Sequence, residues 1–466
     1  MKVIIKKELL EHFQTVQFIV LVVLSIILFS INGIIFVKKY KEQISIYNEK
    51  VSEIYNNPST VRTTLFKKPS QLIFLSEGGE KYQPKSYNLE PKARLRPHDS
   101  GPRNYKLPNV PELDWAFIIK VIFSLYAILL GYNAVSGEKE QGTLRQILSN
   151  SISRIEFLSA KYISMLLILL IPLVIGCILS LLIIGISIPS LFTLNNLIKI
   201  SLMFFLSLIY LSLFAFLSLL FSSIIHRSSI VLLVLLAIWI IFAIIIPNTA
   251  GILAQRFSDI PSELQIAKRL KPTIEKEIWA RIDEIREKIK RGEIKTEEEV
   301  KKEADRAFDE GQEKLMKYYQ NYYESMKQRT IKARNLACLS PTALFQYASE
   351  NIAQTGIVRE KQFLKDALQY SKVYDNYILK KVGKLIGSSA WRFGTYITIN
   401  GKTISISSPY PIEYQGDKSD FPKFVENNPS ILANLKNALI NFIGLILWNL
   451  ILAVFAFVSF LNSDVR

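Results

Sequence analysis

Two cysteines and three histidines are all that this chain of 466 residues offers to redox or soft-metal chemistry. Cys177 lies in an apolar run and Cys338 in a polar stretch, so the two do not easily meet. No disulfide framework, metal pair or redox motif follows. The histidines, His12, His98 and His226, fall in three separate segments, and none lies in the long polar stretch 248–437, which excludes a His-dependent triad there. His98 sits among prolines without a second ligand at metal-binding spacing. Gly401-Lys402-Thr403 is reminiscent of a phosphate-binding loop, but the pattern needs glycine at position 396, where Tyr396 stands, and no helix is expected after it. No Asp or Glu lies in the middle of any long apolar run. Ion-coupled carriers, proton pumps and voltage sensors carry such charges, so these classes are disfavoured. The net charge of +17 is spread over polar segments that hold no nucleic-acid motif, and no nucleic-acid partner is expected.

What the sequence has in abundance is apolar length. Half of its residues are hydrophobic and mean hydropathy is +0.23, yet 21% are charged. The two facts agree because the classes are segregated along the chain. A membrane span needs about 20 mostly apolar residues. Runs meeting this criterion cover 14–37, 115–135, 162–189, 197–222, 229–247 and 438–460. The first is too long for a signal peptide and is followed by Lys38 and Lys39 without a small-residue cleavage site. Orientation follows from basic residues in the short connections. Lys2, Lys6 and Lys7, then Lys139, Arg145, Arg154 and Lys161, then His226 and Arg227, then Arg466 all fall on one side. That side is expected to be cytoplasmic, with both termini, in a multi-pass protein of the cell membrane. The long segments 38–114 and 248–437 then lie outside, since long loops translocate largely regardless of charge.

The fold class expected is a mainly α membrane protein with about six transmembrane helices. It carries a large, mostly helical extracytoplasmic domain containing a small β-hairpin. Residues 1–13 alternate apolar and charged positions as an amphipathic helix at the inner surface. Segment 38–114 begins helical over 41–55 and then becomes extended. In 248–437, read as one domain with its own core, helix-forming residues cover 263–290 and break at Arg291-Gly292. A Thr296-x-x-Glu299 capping box opens a helix towards Lys332, and Ser340-Pro341 opens another that stops at Gly356. A further helix covers 360–379. Residues 394–407 alternate as a hairpin with Asn400-Gly401 as a type I′ turn. Within the spans, Lys120 and Lys199 are placed to snorkel. Ser207, Ser212, Ser218 and Gly176 mark close helix packing.

The connection 136–161 has its own pattern. Leu144, Ile147 and Leu148 form one apolar stripe at helical spacing, opposite a charged face. It reads Ser136-Gly137-Glu138-Lys139-Glu140, then Gly142-Thr143-Leu144, Ser149, Ser153-Arg154 and Lys161 before the next span. This run resembles the cytoplasmic loop of ABC type-2 permeases, the membrane subunits of ATP-binding-cassette transporters. The six-span plan and the amphipathic N-terminus agree with it. The proline usual before the Ser-Arg pair is replaced by Ser151-Ile152. The insert before the last span resembles a subset with a sizeable extracytoplasmic domain.

The resemblance implies a coupling helix, mapped to 140–148, that docks on a separate cytoplasmic ATPase. The coupling residues it implies are Glu138, Lys139, Glu140, Gly142, Thr143, Leu144, Arg145, Leu148 and Arg154. Glu138, Lys139, Glu140 and Arg145 are expected to pair with the partner, and Leu144, Ile147 and Leu148 to face the spans. ATP and magnesium belong to the partner ATPase, leaving this chain without a cofactor, a metal site or catalytic residues. A second permease subunit, identical or homologous, and membrane lipid are the other partners implied. The function expected is the permease of an ATP-driven exporter. The alternative is an ATPase-coupled mechanotransmitter or scaffold that works on an extracytoplasmic protein and transports nothing.

Overall fold

In the computed structural model, residues 1–80, 83–92, 94–99, 113–149, 152–256, 263–385, 394–407, 412–427 and 431–463 are described. The chain is mainly helical, and among the described residues six helices are long and apolar enough to cross a membrane. The short helix α1 (Lys2–Phe13) leads into α2 (Val16–Asn56), which starts where the Thr15 hydroxyl accepts the Phe18 N–H. At 1.5 Å per residue its 41 residues reach about 60 Å, twice the hydrocarbon thickness. The apolar run 14–37 and the helical stretch 41–55 are thus one rod. Three antiparallel strands follow in the order β1 (Thr63–Phe66), β2 (Ser86–Glu90) and β3 (Arg94–Asp99). The sequence indicates only extended chain here.

The second span joins α3 (Trp115–Phe117), a π-helical turn (Ile118–Phe123) and α4 (Ser124–Gly131). The short helices α5 (Ser136–Glu140) and α6 (Thr143–Ser149) precede α7 (Arg154–Ser187), whose start carries a Ser153–Glu156 capping box. After α8 (Leu194–Ile224), the fifth span is α9 (Ser228–Ile240), a second π-helical turn (Ile241–Ile245) and α10 (Ile246–Arg256). The apolar run 229–247 ends at Pro247, but the helix does not. Pro247 lies inside this continuous helix, directly after the π-helical turn that precedes α10, the kind of irregularity at which helices accommodate such a residue. There follow α11 (Glu263–Lys290), α12 (Glu297–Ala337), α13 (Pro341–Ala353), α14 (Ile357–Val382), β4 (Gly394–Ile399), β5 (Lys402–Ser407) and α15 (Ile431–Asn462). The Thr296–Glu299 capping box is present, and Ser340 caps α13 with Pro341 at its first position. Asn400 (φ 49°) and Gly401 (φ 78°) are both left-handed, as a type I′ turn requires.

Among the described residues, the buried apolar side chains of 248–437, read from the sequence as one domain, fall into separate clusters. Ile274, Ile278, Ile282 and Ile285 form one stripe of α11, which packs on Val300, Ala304 and Phe308 of α12. The alternating Ile397, Ile399, Ile404 and Ile406 of the β4–β5 hairpin close this lobe. A second cluster combines Leu65, Tyr87 and Leu89 of the first sheet with Phe363, Ala367, Tyr370 and Tyr374 of α14 and with Phe421. It therefore draws on both long polar segments. The helix α13 belongs to neither: Leu344, Phe345, Ala348, Ile352 and Ala353 sit in the core of the spans.

Small residues set the distances between spans. A Cβ on Gly176 would lie 2.5 Å from Phe29, and one on Gly131 would lie 1.9 Å from the Ser218 Oγ. Ser207 and Ser218 donate to carbonyls of their own helix, of Met203 and Ala215 respectively. Ser212 instead links three spans: it donates to the Asn449 Oδ1 (2.8 Å) and shares a 2.6 Å hydrogen bond with the Tyr162 hydroxyl. Neither lysine snorkels as expected. Lys120 donates to the Gln346 Oε1 at 2.7 Å, and Lys199 is 8% exposed. Gly131→Ala is expected to lower stability by about 1–3 kcal/mol through overpacking. Ser218→Gly in the same chain should restore most of it. Thermal unfolding of the solubilised protein checks this, and a wild-type midpoint for the single variant would refute the tight contact.

Candidate functional site

The connection between the second and third spans lies at the end of the bundle that also holds α1, the α8–α9 turn and the last turn of α15. Its entry is fixed by hydroxyls. The Ser222 Oγ accepts the N–H groups of Val135 (3.0 Å) and Ser136 (2.9 Å), and the Ser136 Oγ donates to the Tyr132 carbonyl. Two short helices then meet at Gly142, whose φ of +72° an L-residue adopts only with strain. Nothing lies within 4 Å of a Cβ built there, so backbone conformation, not crowding, calls for glycine. In α6, Leu144 is 2% exposed and packs into the span core, with Ile147 and Leu148 half-buried against it. Arg145 and Gln146 are exposed on the opposite face.

The charged residues expected to pair with a partner are mostly engaged inside the chain. The Glu138 carboxylate accepts from the Thr143 hydroxyl and lies 3.5 Å from the Lys161 ammonium. Lys161 donates to the Glu8 Oε1 of α1 at 2.8 Å, with both side chains 7% exposed. His12, one turn beyond Glu8, lies 4.0 Å from it, and burial pushes the imidazole pKa down against that carboxylate's pull. Lys139 donates to the Ser223 carbonyl at the end of α8. Glu140 accepts the Ser228 N–H (3.0 Å) and hydroxyl (2.8 Å). A carboxylate at that place satisfies an open N–H of α9 and opposes its dipole. Arg154 donates to the carbonyls of Phe460, Leu461 (2.6 Å) and Ser463 (3.0 Å), where α15 leaves acceptors open.

The nine residues singled out in the sequence are therefore brought together, but in different capacities. Glu138, Lys139, Glu140, Thr143 and Arg154 tie the loop to itself and to neighbouring helices. Leu144 and Leu148 seat it, Gly142 turns it, and Arg145 alone among its charged members faces outward without a described partner. Sequence reasoning left Glu8, Ser222, Ser223 and Ser228 out of the site and used Lys161 for orientation and for the resemblance, without a coupling role. Glu8 had a signal: it stands four residues after Ile4 on the buried face of α1, a carboxylate in an apolar stripe. The serines had none, since hydroxyls are common in the spans. Among the described residues no group of three or more His, Cys, Asp or Glu side chains could hold a metal ion.

A search of curated proteins finds no match to the chain. The model of the family described as ABC-2 family transporter protein matches residues 2–465. With six membrane-spanning helices and this match over nearly its whole length, the chain belongs to the ABC-2 transporter family: it is a multi-pass permease subunit of an ATP-binding-cassette transporter.

Proposed function

We propose that the loop 136–149 is the lever through which a separate cytoplasmic ATPase drives this permease, and that the driven process is export. The observation that carries this is the loop's wiring. It is bonded to α7, α8 and α9, Lys161 of α7 carries the contact on to Glu8 of α1, and Arg154 just beyond the loop holds α15, while Arg145 and Gln146 remain exposed. A push on α6 would reach most spans at once, because packed interiors shift as units and do not yield locally. The docking face then consists of Gly142, Arg145 and Gln146, and the buried charges transmit the push. ATP and magnesium sit in the ATPase, and two permease subunits, identical or homologous, complete the assembly. Both termini and the loop are assigned to the cytoplasmic side of the cell membrane.

Arg145→Glu tests the docking face. Its side chain is exposed, so folding should be unaffected, while co-purification with the ATPase and stimulation of ATP hydrolysis should fall by about tenfold or more. Unchanged association would remove Arg145 from the interface. A variant at Leu144 would not serve, because that side chain is buried in the span core.

A second reading has its own support. The rod α2 continues without a break from its span into the outer sheet cluster, where Ile54 and Tyr55 pack. Such a rod would carry motion outward to an extracytoplasmic protein without any cargo crossing. ATP-dependent movement of a substrate in reconstituted vesicles would sink that reading.

A further inference from the structure

The helix α12 divides its charge along its length. Residues 297–313 hold eight acidic and three basic side chains, whereas 314–337 hold six basic ones and a single acid, Glu324. The basic half is the one that meets the membrane. The fifth span and α10 form one helix from Ser228 to Arg256. Ala250 therefore lies about 33 Å along it, at the far edge of a hydrocarbon layer about 30 Å thick. Ala337 of α12 clusters with Ala250, and Ser340 donates to the Phe242 carbonyl, about 12 Å deeper along the span. So α12 rises out of the bilayer towards its N-terminus. Leu336 and Leu339 of α12 (36% and 69% exposed) and Ile252 and Leu253 of α10 are exposed apolar side chains near this edge. Beyond them, Lys332 and Arg329 stand about 8 and 12 Å above Ala337, at the height of lipid headgroups.

We propose that this root of the α11–α12 hairpin binds anionic phospholipid, with Arg329 and Lys332 as the pair that holds the headgroup phosphate. Three residues apart on a helix, they share a face. Among the described residues neither has a partner, and in this they differ from the cations around them. Lys327 is held by Glu324 (2.7 Å), and Arg334 by Glu350 (2.9 Å) and the Tyr347 ring (3.7 Å to its centroid). No acid lies between 325 and 337, so this stretch of helix does not repel an anion. The helix dipole accounts for basic residues in the last turn only, and Arg329 stands more than two turns from the end of α12. Apolar side chains at the edge with unpaired cations just above them match a lipid, which offers an acyl chain below and a phosphate above. A soluble anion would use the cations alone. The inference goes beyond the coupling reading and needs only the spans, so it stands or falls independently of the ATPase.

A fluorophore on Thr330→Cys, an exposed position between the two cations, reports the site in a full-length chain that also carries Cys177→Ala and Cys338→Ala. The protein is reconstituted in phosphatidylcholine nanodiscs. These contain increasing fractions of either phosphatidylglycerol or phosphatidylcholine bearing the same nitroxide near its carbonyls. Half-quenching is expected at an about 30-fold lower fraction of the labelled phosphatidylglycerol, roughly fivefold for each cation. Arg329→Gln/Lys332→Gln should abolish the preference, and Arg329→Lys/Lys332→Arg should keep it. Lys301→Gln, at the acidic end of α12, should leave it unchanged. Equal quenching by the two lipids, or a preference that survives Arg329→Gln/Lys332→Gln, overturns the site. A preference lost in millimolar inorganic phosphate at constant ionic strength would mean that the pair takes free phosphate, and overturns the lipid. No quenching by either lipid overturns the placement of the hairpin root at the membrane surface.

Discussion

Lys161→Ala is expected to cost about 3–5 kcal/mol and to uncouple the permease, because it strands two carboxylates in a nearly dry site. Glu8 is 7% exposed and Glu138 14%, and each counts Lys161 among its partners. Thermal unfolding should show the loss, and ATP hydrolysis by the complex should no longer respond to the permease. The triple change Lys161→Ala, Glu8→Gln, Glu138→Gln should recover much of the stability, since neutral amides need no counter-charge. It should not recover coupling if the ion cluster is what ties α1 to the loop. The exposed pair Lys7–Glu11 on the outer face of α1 is the control: at 54% and 58% exposure its loss should change little. A Lys161→Ala protein as stable as wild type would refute the buried-cluster account.

The second large effect is expected at Arg359. Its guanidinium is buried between Glu80 (2.9 Å) and Glu426 (3.0 Å) and also donates to the Lys68 carbonyl. It thereby joins α14 to the segment before β2 and to the stretch before α15. Arg359→Ala should cost about 3–5 kcal/mol at neutral pH, with the outer cluster of α14 and the first sheet opening to protease. The loss should depend on pH. Burial pushes the Glu80 carboxyl above its ordinary value, against the pull of Arg359. Such a group binds more protons folded than unfolded in the window between its two pKa values, so stability falls as pH rises through it. Without Arg359 the window widens, and the variant's deficit should shrink towards pH 4–5 and be largest near pH 7, a range set by ordinary carboxylate values. A deficit independent of pH would mean that lost packing, not stranded charge, is responsible. Tyr87 and Lys67 both reach Glu360 nearby, so substitutions there should not be additive with Arg359→Ala.

The spans, the loop between the second and third, and the hairpin at 394–407 were legible in the sequence because each has a local cause. Twenty apolar residues must bury their backbone polar groups in a helix. Thr296 with Glu299, Ser340 with Pro341, and Asn400 with Gly401 each settle a backbone choice within a few residues. Leu144, Ile147 and Leu148 face the spans because a 3.6-residue period puts them on one side.

What the charges of the loop do was decided only by tertiary structure. Nothing in the run Ser136 to Lys161 says that Glu140 satisfies the start of a helix 88 positions away, or that Arg154 closes the end of one some 300 positions away. The same holds for α13, whose sequence is that of an ordinary capped helix in a polar region but whose place is among the spans. Long-range pairing of polar groups leaves no periodic trace. It follows from which open donors and acceptors the packed helices happen to leave, and from the cost of burying any of them unpaired. The sequence by itself determined where the chain crosses and where it turns. The packing determined which of its charges are held by neighbouring helices and which one is left exposed.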